Sequence, residues 1–297
     1  MTATERNKST TETYAKRSQL KTIALRFSRN KLAMTGLIVL VLLTIVILTL
    51  DLYIDYDTQV IQQNMSERLI APCAEHLLGT DQYGRDMLAR ILYGARFSLG
   101  ASLIVVLLAT FLSIAIASVS AYFGGIVDDI IMRVNDIFYA LPFYLMAICV
   151  VAAMGTGIVS LCVANIMGAV PSAIRIARSY MLPLKNQEYV EAAIACGTSK
   201  LRILYRHIIP NAIGPIIVQA TLDLSATLLA ISSLSYIGLG VSSPTPEWGL
   251  MLSEGTQQMF EHPHLVLVPG IVLVIVAMAA NLLGDGLRDA LDPKLKN

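Results

Sequence analysis

An all-α, polytopic membrane protein with six transmembrane helices is the fold class that the sequence predicts. Three observations carry it. Of the 297 residues, 55% are hydrophobic and 14% charged, where soluble domains carry roughly 25% charged residues. Six apolar runs approach the roughly 20 residues that a helix needs to cross a bilayer. Lys and Arg are then distributed very unevenly among the segments between those runs. The formal net charge of +1 gives no sign of nucleic-acid binding.

The first span is expected near Leu32–Leu50, ended by Asp51, Asp55 and Asp57. A long polar tail precedes it and no small-x-small cleavage site follows, so the run is expected to stay as a membrane anchor. From Arg85, with Met87, Leu88, Ile91 and Leu92, the loop after it reads as an amphipathic helix lying on the outer membrane surface. The second span is expected at Phe97–Tyr122, closed by Gly124–Gly125. The third is expected at Phe138–Met154 with Pro142 near its start, and the fourth at Ile158–Ile176 with Pro171 near its end. Proline is tolerable there when neighbouring helices satisfy the freed carbonyl. The fifth is expected at Ala212–Ile237 and the sixth at Leu265–Leu283.

Basic residues orient these spans. The segment before the first holds Arg6, Lys8, Lys16, Arg17, Lys21, Arg26, Arg29 and Lys31. On the same side fall Arg133, then Arg175, Arg178, Lys185, Lys200, Arg202 and Arg206, then Arg288, Lys294 and Lys296. The opposite side receives only Arg68, Arg85, Arg90 and Arg96. The positive-inside rule places the first group, and both termini, in the cytoplasm.

One cytoplasmic stretch differs from the other connections. YVEAAIACGTSKLRILYRHIIPNAI, from Tyr189, is amphipathic and rich in small residues. Tyr189–Cys196 suits a short helix. Gly197 suits the left-handed residue that closes it, and Thr198 or Ser199 suits the cap of the next. Leu201, Leu204 and Ile208 share one face of that second helix, which Pro210 should end. Such a hairpin either joins two spans at the interface or docks another protein, since small residues let a second backbone come close.

The motif E-A-A-x-x-x-G (Glu191, Ala192, Ala193, Gly197), followed by Ile209–Pro210, resembles the cytoplasmic EAA loop of permease subunits of bacterial ABC importers. HLLGTDQYGRDMLARILYGARFSLG, AYFGGIVDDIIMRVNDIFYALP, SYIGLGVSSPTPEWGLML and NLLGDGLRDALDP follow the order seen in the dipeptide, oligopeptide and nickel permeases. The resemblance spans roughly residues 30–296 and is to the second permease of such systems. It implies a cytoplasmic tail at 1–31, a first span with an external loop at 32–96, a core permease domain at 97–290 containing a coupling loop at 183–211, and a cytoplasmic tail at 291–297. It implies partners: a homologous second permease, two ATP-binding cassette subunits that hold ATP and Mg, and an external substrate-binding protein. Within the coupling loop, Glu191 would be the polar contact with the ATPase. Ala192, Ala193 and Gly197 would allow close packing. The helix carrying Arg202 and Arg206 up to Pro210 would lead to the fifth span.

Other residues are weighed beside that resemblance. Asp223 is the one ionisable side chain well inside a span. An intramembrane charge by default marks a pathway or a pairing, and Gln219 and Ser225 would widen a polar stripe around it. Glu247 and Trp248 are expected in an external segment, as a contact near the mouth of the pathway or as an interfacial anchor. The loop from Arg85 would meet the binding protein or steady the first two spans. Arg175 and Arg178 are expected to anchor at lipid headgroups. Cys73, Cys149, Cys162 and Cys196 form no CxxC pair and read as small buried hydrophobes. His262 and His264 beside Glu261 read as a solvated turn and not a metal site. No G-x-x-x-x-G-K-[ST] loop is present, so ATP hydrolysis is expected from a partner and no cofactor in this chain. Cargo is expected to be di- or oligopeptides, with nickel or a metal chelate as the alternative. A secondary transporter fits less well, since no internal repeat is evident.

Overall fold

A computed structural model describes residues 19–291. The basic tail residues before and after that range lie outside the described residues. Helices account for nearly all of the described secondary structure, beside one isolated bridge between Thr80 and Asp86. Five helices are long and apolar enough to cross a membrane, and a sixth crossing is available as a bent pair.

Helix α1 (Gln19–Arg29) is followed by α2 (Lys31–Thr49), and Asn30 caps α2 by accepting from the Ala33 N–H at 3.1 Å. Helix α2 lies along α11 (His264–Leu291). A Cβ on Gly36 would stand 2.5 Å from the Ala279 carbonyl, and one on Gly286 would strike Ala33. Small residues are what let two membrane helices approach so closely.

The segment that follows contains a π-helical stretch (Tyr56–Ile61) and a 3-10 turn (Met65–Glu67). Asp86 then caps α3 (Met87–Phe123) through the Ala89 N–H at 2.9 Å. Helix α3 is 37 residues long, about 55 Å at 1.5 Å per residue, well beyond a hydrocarbon core of about 30 Å. The expected flat helix from Arg85 is therefore corrected. Its residues are the first turns of α3, standing up from the membrane. Gly94 does not interrupt the helix between Leu92 and Phe97, and Met87 and Ile91 are drawn into an apolar cluster with Trp248, Met251 and Leu265.

The third span is also corrected. Helix α4 (Gly125–Tyr139) and α5 (Phe143–Met154) meet at 85°. Pro142 cannot donate a backbone hydrogen bond and disfavours helix at Leu141. Helix α5 has 12 residues, about 18 Å, so it cannot cross alone. Helix α6 (Ile158–Met181) retains Pro171 in its interior and runs through a 3-10 turn (Leu182–Asn186) into α7 (Glu188–Ala195). After α8 (Lys200–Ile203) and a π-turn (Leu204–Ile208) comes α9 (Ile209–Tyr236). Pro210 does not end the second hairpin helix. It lies just past the π-turn in a helix that runs without a break from Lys200 to Tyr236, where the local widening takes up its missing N–H. The π-turn shifts the register, so Ile203, Leu204 and Ile208 are buried while Leu201 faces out.

Helix α10 (Trp248–Thr256) packs between α9 and α11. Trp248 is fully enclosed, and its indole N–H donates to the Ile91 carbonyl at 3.0 Å. Gly94 makes room for it, since a Cβ there would lie 2.7 Å from the indole. Trp248→Ala is expected to cost about 3–5 kcal/mol, read as a lower melting temperature in detergent. An unchanged melting temperature would show that the indole is not a keystone.

Candidate functional site

The hairpin between α6 and α9 divides into an inner and an outer face. The inner face is Val190, Ile203, Leu204 and Ile208, all buried. They pack on Ala117, Ala121 and Tyr122 of α3 and on Ile174, Ala177 and Met181 of α6. The outer face carries Glu191, Ala192, Cys196, Gly197, Arg202, Arg206 and Pro210, all exposed, while Ala193 is half-buried against the core below. Ile194, Leu201 and Tyr205 add apolar surface, at 55%, 67% and 60% exposure. Partial burial pushes the Tyr189 phenol up, and its ring lies 6.4 Å from that of His207.

Gly197 holds the turn. Its φ is +72°, a region that residues with a Cβ enter at a cost. Its N–H donates to the Ile194 carbonyl at 2.9 Å and the Thr198 N–H to Ala193 at 3.0 Å, the paired bonds of a Schellman closure. Ser199 occupies the next N-cap position, though its side chain makes no capping bond. The result is a stiff hairpin, fixed to two spans and open on its outer side.

Asp223 lies mid-way along α9 and faces a narrow crevice between α3, α6 and α9. Thr110, Ser113, Ala177 and Gln219 line it too. Gln219, one turn earlier, donates to Asp223 Oδ1 at 2.9 Å. Ser225 is not part of that stripe. Two residues further along a helix it points about 200° away, where its hydroxyl donates to Asn281 of α11 at 2.6 Å.

Three further expectations are corrected. Glu247 and Trp248 are both 0% exposed, which removes them from any external contact surface. Glu247 accepts from the Leu250 N–H at 2.9 Å, from Ser98 at 3.1 Å and from Ser232 at 3.3 Å, and so pins α10 to α3 and α9. Arg175 and Arg178 do not reach for headgroups. Arg175 donates to Asp136 at 2.6 Å and stacks 3.9 Å over the Tyr139 ring, while Arg178 grips Asp128. Among the cysteines, Cys149 and Cys196 are exposed, and all four are free thiols. His262 and His264 pack edge to face at 6.0 Å.

Sequence reasoning missed a buried ionic cluster at the end of the body opposite the hairpin, where the segment before α3 meets α10. Arg85 meets Asp81 at 2.6 Å and Glu254 at 3.0 Å. Arg90 approaches the same carboxylates at 3.4 and 3.5 Å, and donates to the Val60 and Pro244 carbonyls at 3.2 and 3.1 Å. The one available signal was the local set Asp81, Arg85 and Arg90, with Asp81 and Arg85 four apart. Nothing in the sequence brings Glu254 to them.

The whole arrangement, a helical membrane body with a stiff hairpin, has relatives. Residues 109–297 match the family described as the binding-protein-dependent transport system inner membrane component. The chain belongs to that family. Residues 18–72 of the permease match the N-terminal transmembrane domain of oligopeptide transport permease C. It is 39% identical to a dipeptide transport system permease protein of Alkalihalophilus pseudofirmus, over 92% of this chain and 89% of the relative. Against a dipeptide transport system permease protein of Haemophilus influenzae the identity is 37%, over 96% and 98%. Against a glutathione transport system permease protein of Escherichia coli O157:H7 it is 37%, over 91% and 89%. In fold the permease is similar to a chain of an inward-facing methionine ABC transporter, with a TM-score of 0.52 and 18% identity over 65% of this chain and 94% of that one.

Proposed function

We propose that this permease forms half of the translocation pathway of an ATP-driven importer for di- and oligopeptides, glutathione-like peptides included. A homologous second permease supplies the other half. Two ATPase subunits bind ATP and Mg and dock on the hairpin at 183–211, and an external binding protein delivers cargo. Both termini are cytoplasmic in the inner membrane, as the basic residues require. The observation that carries the reading is the hairpin. It exposes Ile194, Leu201 and Tyr205 around an open Gly197, on the basic side of a membrane body. A solvated connecting loop has no use for such a surface.

The peptide assignment draws on the relatives, whose names specify dipeptide and glutathione. The nickel alternative has no such support. Uptake of labelled dipeptides and of nickel, in cells lacking this chain and in their parent, tests the choice. Loss of dipeptide uptake with nickel content unchanged is the expected result, and the reverse overturns it. In the same assay Asp223→Ala is expected to lower uptake severalfold at unchanged membrane abundance. Parental uptake by that variant would place Asp223 off the pathway.

A further inference from the structure

The hairpin is built into α6, which enters it through a single 3-10 turn. Helix α6 also carries a seam to α4. On α6 the seam uses Pro171, Arg175 and Arg178, spaced by four and three. On α4 it uses Asp128, Asn135 and Asp136, spaced by seven and one. The α6 set shares one face of its helix, as do Asp128 and Asn135 on α4, and Asp136 lies about 100° round from Asn135. The helices run antiparallel, so Asp128 meets Arg178 at the hairpin end, while Asp136 meets Arg175 and Asn135 donates to the Pro171 carbonyl at 3.1 Å further in.

The pair at the hairpin end is the strongest. Arg178 reaches both oxygens of Asp128, one through Nε at 2.8 Å and the other through Nη2, and Ser120 at the end of α3 donates to the same carboxylate. Lys185, in the turn leading to α7, brings its ammonium beside Gly124 at the joint of α3 and α4. Elsewhere α4 also touches α3, and Met132 packs against the core below. Ile126, Ile130, Val134 and Ile137 on its other face are all exposed. Beyond the 85° bend α5 is embedded, with Phe143 against Gly168 of α6 and Ala147 in a cluster with Leu161, Ala164 and Ile231.

We infer that Asp128 and Arg178 are positioning residues for transport: their two-pronged grip makes α4 follow α6 when the hairpin is displaced, and so carries the displacement round the bend to α5. This rests on the proposed docking of an ATPase at the hairpin. A purely apolar seam would let α4 slip along α6, because dispersion contacts are not directional. A bidentate arginine–carboxylate pair holds one register, and rigid elements with discrete arrangements are what transmit such changes.

The test uses the complete importer in liposomes, with cargo moved per ATP hydrolysed as the readout and ATP turnover measured alongside. For Asp128→Asn and Arg178→Gln the ratio is expected to fall about tenfold, within the range for breaking one element of a coupled network, while ATP turnover stays near the parental rate. Arg178→Lys keeps the charge without the fork and is expected to fall between them and the parent. Parental ratios in Asp128→Asn and Arg178→Gln overturn the inference, even if less complex assembles, because that result marks a role in stability alone. If neither variant assembles, Arg178→Lys decides, and a parental ratio there overturns it. A parent complex that retains no ATPase overturns the docking reading and this inference together. A parent that couples normally beside unaffected variants overturns the seam only.

Discussion

Gly197→Asp is expected to abolish uptake while leaving the permease folded in the membrane. The reasoning starts from the turn. Gly197 has a φ of +72°, and Asp visits that region more readily than most residues, so the local strain is small. A Cβ at this position meets nothing within 4 Å in the chain itself. Any large effect must therefore come from what docks there. A carboxylate carried into a tight contact without a partner costs several kcal/mol, and about 2.7 kcal/mol corresponds to a hundredfold loss of affinity. Titration of the purified permease with its ATPase should show a loss of that order, together with unchanged melting. Gly214→Ala, also facing open space in the chain, should lower neither the affinity nor the melting temperature. Parental uptake by Gly197→Asp would remove the hairpin as the docking element.

The same hairpin shows what was legible in the sequence. Gly197 announced its own conformation, because so few residues enter the left-handed region cheaply. The first, fourth, fifth and sixth spans were legible because a run of apolar residues needs no partner to be recognised. Pro210 was misread because the π-turn at Leu204–Ile208 changes which carbonyl needs a donor, and that choice is made by packing on α3 and α6. Helix α4 was passed over as a loop. Its charges Asp128, Asp129, Arg133 and Asp136 mask a helical spacing of Ile126, Ile130, Val134 and Ile137 that could have been read. Glu247 and Trp248 were placed at the surface by residue type, which is a sound average. Only the fold reveals the pocket that Gly94, Ser98 and Ser232 make for them. Asp81 and Arg85 are four apart, but the other contacts of the ionic seam and of the external cluster cross long sequence separations, with Arg85 and Glu254 169 positions apart, where no periodicity connects them.

That external cluster sets the other large expectation. Arg90→Met is expected to destabilise the permease by about 3–5 kcal/mol, the usual consequence of removing one partner from a buried ionic group. Arg85 and Arg90 are almost wholly buried and balance Asp81 and Glu254, two charges against two. With Arg90 gone, Arg85 alone faces both carboxylates, and the Val60 and Pro244 carbonyls lose their donor. The cluster joins the external loop, α3 and α10, so its failure should loosen the external cap before the spans. Arg96→Met provides the contrast. Arg96 also pairs with an aspartate, Asp51 at 3.0 Å, but Asp51 is exposed and Arg96 only half-buried, and pairs open to water contribute about 0–1 kcal/mol. Denaturant or thermal unfolding of both variants in one detergent separates the cases. Equal, small losses would mean that water reaches the Arg85–Arg90 cluster and that it does not hold the external cap in place.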